Sequence, residues 1–292
     1  MNALQHKNDP SALDALFERT VLDLGIPPCP AILTRFMDEA QKDEPDYQRL
    51  ASIISADVSL SASLIKTANS PFFGVRQRVR SINEALMLLG LNIASRAVAG
   101  IILRKSFPAE LNLERFWDAS ARFARLSGWL VQQLAIPKMM SEDAYTFGLF
   151  RDCGIPVLLG RFPAYHGVLE SANHETELLF TEVEEDMLPT NHAMVGCVLA
   201  QSWWLPEELC LAIRHHHERS VLDMNSPGLP LLSRKLIAVT QLAEHLVQQH
   251  SGLSFTQEWA KLGTACMQLL EVDKAHLQTL YAEAAPIIVA EE

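Results

Sequence analysis

The sequence predicts an all-α fold of two helical lobes, and three features of the chain carry that prediction. Apolar residues recur at spacings of three and four almost throughout, while strand-like alternation is almost absent. The periodic stretches open at Ser, Asp or Pro and close at Gly or Pro, as helix ends do. No internal repeat or low-complexity segment interrupts the pattern.

Taken in order, Ser11 is placed to cap a first helix carrying Leu13, Leu16, Phe17, Val21 and Leu24. Gly25 and the run Pro27-Pro28-Cys29-Pro30 end it. Pro30 suits the first turn of a second helix with Ile32, Leu33, Phe36 and Met37 inward. Asp46 caps a third, striped by Leu50, Ile53 and Ile54, and Asp57 a fourth, striped by Leu60, Leu64 and Ile65. Ser81-Ile82-Asn83-Glu84 is a capping-box pattern, with Gly90 as a stop. The stretch from Asn92 to Arg104 is apolar on nearly every side, which predicts burial between other helices. Phe107-Pro108 marks a break, and the lobe boundary is placed between there and Asn112.

The second lobe opens with a long helix near Leu113 to Leu134, with Phe116, Ser120, Phe123, Ser127, Leu130 and Val131 inward. Ser141 caps a helix that runs to Asp152, where Gly154 and Pro156 disturb it. Further helices are predicted over Tyr165–Ala172, Glu175–Met187, Asn191–Trp204, Pro206–His216, Leu231–His250, Gln257–Leu270 and Lys274–Ala284. Glu182, Glu184, Glu185 and Asp186 read as a solvated face. The stretch from Glu218 to Pro230 is the least structured interior segment.

A 49% apolar and 20% charged composition describes an ordinary globular chain. Lys and Arg number 24 against 35 Asp and Glu, a net charge of −11 that opposes phosphate backbones and disfavours nucleic acid. Arg76, Arg78 and Arg80, with Arg96, Arg104 and Lys105, read as a solvated face. No apolar run approaches about 18 residues, so no membrane insertion is expected. Met1 to Pro10 is polar and carries no signal-peptide core, which makes a cytoplasmic location the expectation. Five widely spaced cysteines, Cys29, Cys153, Cys197, Cys210 and Cys266, form no C-x-x-C pair and read as packed thiols.

Histidines and acids gather at three places: Arg151-Asp152, Asn191-His192 and His215-His216-His217. Asp152, His192 and His216 stand where apolar stripes meet helix ends, so they are candidates to converge on a metal in a bundle. Adjacent helical residues point about 100° apart, so the three histidines of the run do not all serve one ion. A histidine beside a helix end also serves as a cap or packing residue, and spacing alone leaves both readings open. P-loop, Rossmann, G-x-S-x-G and H-E-x-x-H patterns are absent.

Ile53-Ile54-Ser55-Ala56-Asp57-Val58-Ser59-Leu60 followed by Leu64-Ile65-Lys66-Thr67-Ala68-Asn69-Ser70 resembles the signature I-x-x-D-P-x-L-x-x-x-L-L-x-x-A-N-S of the HDOD family, with Val58 where proline is usual. The entry Ile26-Pro27-Pro28-Cys29-Pro30, the stretch Ser81 to Gly90, Phe116-Trp117, Gly148-Leu149-Phe150, His192 to Gly196, Trp204-Leu205-Pro206 and His216-His217 extend the likeness. The resemblance implies a leader helix region over 1–20 and an HDOD domain over 21–218. That domain has an N-terminal lobe over 21–106 and an HD-like lobe over 112–218, and helices over 219–292 complete the bundle.

HD phosphohydrolases, by the same resemblance, hold metals with a His, a His-Asp pair, further histidines and a distant Asp. Here Ala119 stands at the first His and Arg151 at the His of the pair, and Gln241 is aligned with the distant Asp. Asp152, His192 and His216 or His217 remain. Loss of ligands and a cation at the site imply a non-catalytic module without metal or cofactor, which regulates bacterial signalling through a protein partner. The chain shows no sensory segment, so action in trans is expected, with a homodimer left open. The alternatives are a residual metal-dependent phosphohydrolase and a nucleotide or second-messenger binder. Asn69, Ser70, Phe72 and Phe73 are candidates for a partner surface or for fixing the lobe.

Overall fold

The Asp46 carboxylate accepts the amides of Gln48 and Arg49 at 2.8 and 3.1 Å, and that of Asp57 accepts Leu60 N at 2.9 Å. Ser81 Oγ accepts Glu84 N at 3.2 Å. These three caps start helices where the sequence places them. The computed structural model describes residues 25–70, 73, 78–136, 139, 141–223, 228–252 and 255–289. The expected first helix, the leader region, Phe72 and the centre of the 218–230 segment lie outside these residues.

The N-terminal helices are α1 (Ala31–Ala40), α2 (Tyr47–Ser55), α3 (Val58–Ala68) and α4 (Ile82–Lys105). A short 3-10 turn at Ala109–Leu111 leads to α5 (Glu114–Gln133), α6 (Ser141–Phe150), α7 (Gly154–Arg161), α8 (Tyr165–His174) and α9 (Phe180–Met187). Then come α10 (His192–Ser202), α11 (Glu207–His215), α12 (Leu231–Ser251), α13 (Glu258–Leu270) and α14 (Lys274–Val289). No strand occurs among the described residues, so the all-α prediction holds.

One continuous apolar core runs from Ile26 to Ile288. Helix α5 packs along α6, and α12 lies against α5, α6 and α13. Helix α10 is clasped between α7 and α11. The first four helices meet the rest through α4 on α6, where Arg96 pairs with Asp143, and through Trp203 Nε1, which donates to Pro27 O at 3.3 Å.

The structure departs from the sequence reading in three places. Helix α6 ends at Phe150 instead of continuing to Asp152, and Gly154–Arg161 is itself a helix. Pro156 lies in the first turn of α7, where its missing N–H has no carbonyl to serve. The helix expected from Glu175 begins at Phe180, because the Glu175 carboxylate takes up the amides of Thr176, Glu177 and Leu178 in a turn. Glu184, read as solvated, is fully buried, while Glu182, Glu185 and Asp186 are exposed.

Helix α4 is by length and composition apolar enough to cross a membrane, but it is interrupted where the sequence places a stop. Gly90, at φ 69° and ψ 167°, breaks it. Only residues 91–105 continue as one helix, about 22 Å long at about 1.5 Å per residue, against a hydrocarbon core of about 30 Å. Leu86, Val98 and Leu103 have no exposure, and the helix packs on α1, α2, α3 and α6. The composition of α4 is thus accounted for by burial in the core.

Candidate metal centre

Glycine contacts bring the pieces of the site together. A Cβ on Gly154 would lie 2.0 Å from the carbonyl oxygen of His192 and 2.8 Å from Gly196 N. Only glycine permits that approach of α7 to α10. It sets the turn Arg151-Asp152-Cys153 beside the N-terminus of α10, where Asn191 caps through Met194 N at 2.7 Å and His192 is the first helical residue. The end of α11 delivers His216 and His217 to the same point.

Asp152, His192, His216 and His217 each present one ligand atom, all within 4.8 Å of one another. His192 Nε2 lies 3.2 Å from His216 Nε2 and 3.1 Å from His217 Nε2. Asp152 Oδ1 is 3.3 Å from His216 Nε2 and 3.8 Å from His192 Nε2. The sequence reading admitted His216 or His217; the structure brings in both, because α11 ends at His215 and the chain turns there. His215 stays outside and pairs with Glu218 at 2.8 Å.

Every ring has its other nitrogen engaged. His192 Nδ1 meets Glu184 Oε2 at 2.7 Å, His216 Nδ1 meets Ile213 O at 2.8 Å, and His217 Nδ1 meets Glu258 Oε2 at 2.5 Å. Each acceptor favours a proton on Nδ1, so that in the neutral ring Nε2 is the nitrogen turned to the cluster. Tyr165 donates its hydroxyl to Glu184, and Lys261 Nζ meets Glu258 at 3.0 Å. Phe180 stacks on His217 with centroids 4.8 Å apart and presents its edge to His192 at 5.3 Å.

The electrostatics follow from burial and charge. Burial opposes a charged ring at His192, but the Glu184 carboxylate outweighs it and raises the pKa. At His216 burial and the adjoining His217 push it down to about 3. Burial opposes ionisation of Asp152 and Glu258, yet Arg151 holds the first well below the usual carboxylate range and His217 holds the second at about 2.

Arg151 is buried, with 5% exposure. Its Nη2 donates to Asp152 Oδ2 at 2.8 Å, its Nη1 to Glu244 Oε2 at 3.1 Å, and its charge lies 5.2 Å from the Phe123 ring centroid. Gln241 is buried and donates to Glu244 at 3.0 Å. Ala119 packs on the apolar core and offers no donor.

His192 Nε2 lies 3.2 and 3.1 Å from the other two Nε2 atoms, and lone pairs that close repel unless a proton or a cation lies among them. A tetrahedral zinc with bonds of about 2.0–2.1 Å would space its nitrogens by about 3.4 Å, close to what is found. Four carboxyl groups, Asp152, Glu184, Glu244 and Glu258, face two fixed cations, Arg151 and Lys261, so the surroundings favour added positive charge. The residues therefore fit one transition-metal ion, held by three imidazole Nε2 atoms and Asp152 Oδ1. Such an ion supplies Lewis acidity when bound.

The sequence reading missed Glu184, Glu258, Glu244 and Tyr165. The one local signal is that Glu244 follows Gln241 by three residues, on the same helix face. The other candidates lie elsewhere. Asn69 Nδ2 donates to Ile65 O at 2.8 Å and Val79 O at 2.9 Å, and its Oδ1 accepts Val79 N at 2.8 Å, which fixes the N-terminal lobe. Ser70 O accepts Phe73 N at 3.1 Å. Phe73 is half-buried, packs on the core and meets Tyr145 of α6 at 6.3 Å, between the lobes. Of the cysteines, Cys29 is half-buried and the other four are buried and free.

Comparison with known proteins gives the same architecture. A protein of Geobacter sulfurreducens described as an HDOD domain protein has a TM-score of 0.65 at 21% identity, covering 96% of both chains. A candidate phosphohydrolase of Shewanella amazonensis SB2B has a TM-score of 0.67 at 19% identity, covering 94% of this chain and 96% of that one. At such identities the likeness is one of fold. An uncharacterized protein of Treponema pallidum (strain Nichols) is 26% identical over 231 residues, which is 78% of this chain but 43% of that protein. YuxH of Bacillus subtilis (strain 168) is 37% identical over 60 residues, 15% of its length, so the chain spans less than half of either curated relative. The HDOD domain model matches residues 26–219, about two thirds of the chain, and takes in Asp57, Asn69, Asp152, His192 and both buried histidines of α11's end. With that match over the same residues that build the fold and the centre, the chain belongs to the HDOD domain family.

Proposed function

We propose that the protein is a non-catalytic regulatory module of bacterial signal transduction that acts in the cytoplasm by binding partner proteins. We further read its Asp-His cluster as holding one divalent ion in a structural role, against the metal-free pocket expected from the sequence. The observation that carries the non-catalytic reading is Arg151, whose guanidinium is saturated by Asp152 and Glu244 at the position where HD enzymes, by resemblance, keep a metal-binding histidine. Four protein donors around one ion close a tetrahedral site, whereas a catalytic site keeps a position open for water. The Phe180 ring against His192 and His217 also restricts approach.

The test is direct. The full chain, with manganese or magnesium added, should release no more product than a blank from phosphomonoesters, phosphodiesters and cyclic dinucleotides. The surviving Asp152 and three histidines favour one alternative, a residual phosphohydrolase. Turnover that disappears in Asp152→Ala would establish that alternative in place of the regulatory reading.

A further inference from the structure

We propose that Arg151 takes the place of a second cation: it positions the Asp152 carboxylate for the ion in the histidine cluster and limits the centre to that one ion. The inference rests on the reading that the cluster holds an ion, and it adds what Arg151 does for it.

Asp152 faces two ways. Its Oδ2 accepts from Arg151 Nη2 at 2.8 Å and from Nε at 3.2 Å. Its Oδ1 also takes Arg151 Nε at 3.3 Å and on its other side faces His216 Nε2 at 3.3 Å and His192 Nε2 at 3.8 Å. One carboxylate thus joins a fixed positive charge to a nest of nitrogen lone pairs, the arrangement in which a carboxylate would bridge two metal ions. Neighbours on a helix splay apart, but Arg151 and Asp152 lie in the turn after α6, where both side chains reach the same side.

The remaining sides of the guanidinium are also engaged. Glu244, with 6% exposure, accepts from Nη1, and its Oε2 also takes the amide of Gln241. Phe123 lies beneath the charge. A planar fork held by two carboxylates and a ring has little rotational freedom, so it fixes the plane of Asp152. The same positive charge repels a second divalent ion from the Asp152–Glu244 side. Arg151 is therefore a positioning residue, which acts on the ion through Asp152.

Cobalt(II) titration of the metal-stripped full chain tests this, because cobalt's visible absorption reports the number and arrangement of its ligands. The parent chain should bind one cobalt per chain with the intense visible bands of a four-coordinate site. Arg151→Gln should bind about 10- to 100-fold more weakly, as loss of a group that orients a ligand does, with altered bands. Arg151→His should take up more than one cobalt per chain, with the introduced imidazole, Asp152 and Glu244 as donors.

Glu244→Gln keeps a neutral hydrogen-bond partner for Arg151 and is the second variant should Arg151→Gln fail to fold. It too should weaken cobalt binding and change the bands. A parent chain that binds no cobalt would refute the ion reading itself. A parent that binds one cobalt, with folded Arg151→Gln and Glu244→Gln matching it in affinity and spectrum, would refute the positioning role alone. One equivalent in Arg151→His would show that the charge of Arg151 does not limit occupancy.

Discussion

His192 Nδ1 stands 2.7 Å from Glu184 Oε2, a carboxylate with no exposed surface. The same carboxylate accepts the His192 backbone amide at 3.1 Å and the Tyr165 hydroxyl. Helix α9 is thereby fastened through one buried charge to the first residue of α10, by its backbone and ring N–H, and to Tyr165 at the start of α8.

Glu184→Gln should therefore destabilise the fold. An amide has one oxygen to offer three donors, and its NH2 group must face at least one of them. Bonds to a charged acceptor contribute about 1.5–3 kcal/mol each, so a loss of about 2–3 kcal/mol is expected. Urea denaturation should show a lower midpoint at unchanged slope. An unchanged midpoint would mean that the network adds nothing to stability.

Asn69→Ala removes the tie between the end of α3 and Val79, whose amide would lose its acceptor at 6% exposure. The expected cost is about 1–3 kcal/mol. A melting temperature equal to the parent's, together with weakened capture of a partner protein, would instead assign Asn69 to a contact surface.

Gly154→Ala is expected to be more damaging than its single methyl suggests. The added carbon would lie 2.0 Å from a backbone carbonyl, and backbone cannot swing aside as a side chain can. Overpacking of this kind costs about 1–3 kcal/mol or more, and here it also pushes His192 away from Asp152. Lower thermal stability together with weaker cobalt binding is the predicted pair of effects. Parent-like values for both would show that α7 and α10 shift apart without consequence.

Glu39 offers a pH prediction remote from the centre. The hydrogen bond from Lys42, at 2.7 Å, leads the interactions that lower its pKa, with Asp46 N and Arg49 contributing. A carboxyl with a depressed folded pKa stabilises the fold at pH above its unfolded value, and that stability is lost as pH falls through the folded value. The parent should melt above Glu39→Gln at pH 7, and the gap should close as the solution is acidified below the ordinary carboxylate range. A gap constant from pH 7 to pH 3 would contradict the assignment.

The sequence by itself determined the helical class, the caps at Asp46, Asp57 and Ser81, the break at Gly90 and the family. These are legible because a cap acts within three residues and helical periodicity within a turn or two. It did not show that α7 forms, that Glu184 is buried, or that His216 and His217 both face His192. Those depend on partners far along the chain: His192 and His216 are 24 residues apart, His217 and Glu258 are 41, and Arg151 and Glu244 are 93. On α9 the exposed Glu182 and Glu185 flank the buried Glu184, and nothing in the pattern of acids tells them apart. Only the packing of α9 against α8 and α10 decides which carboxylate meets an imidazole, because a side chain's partner is set by the packing of helices and not by its neighbours in the chain.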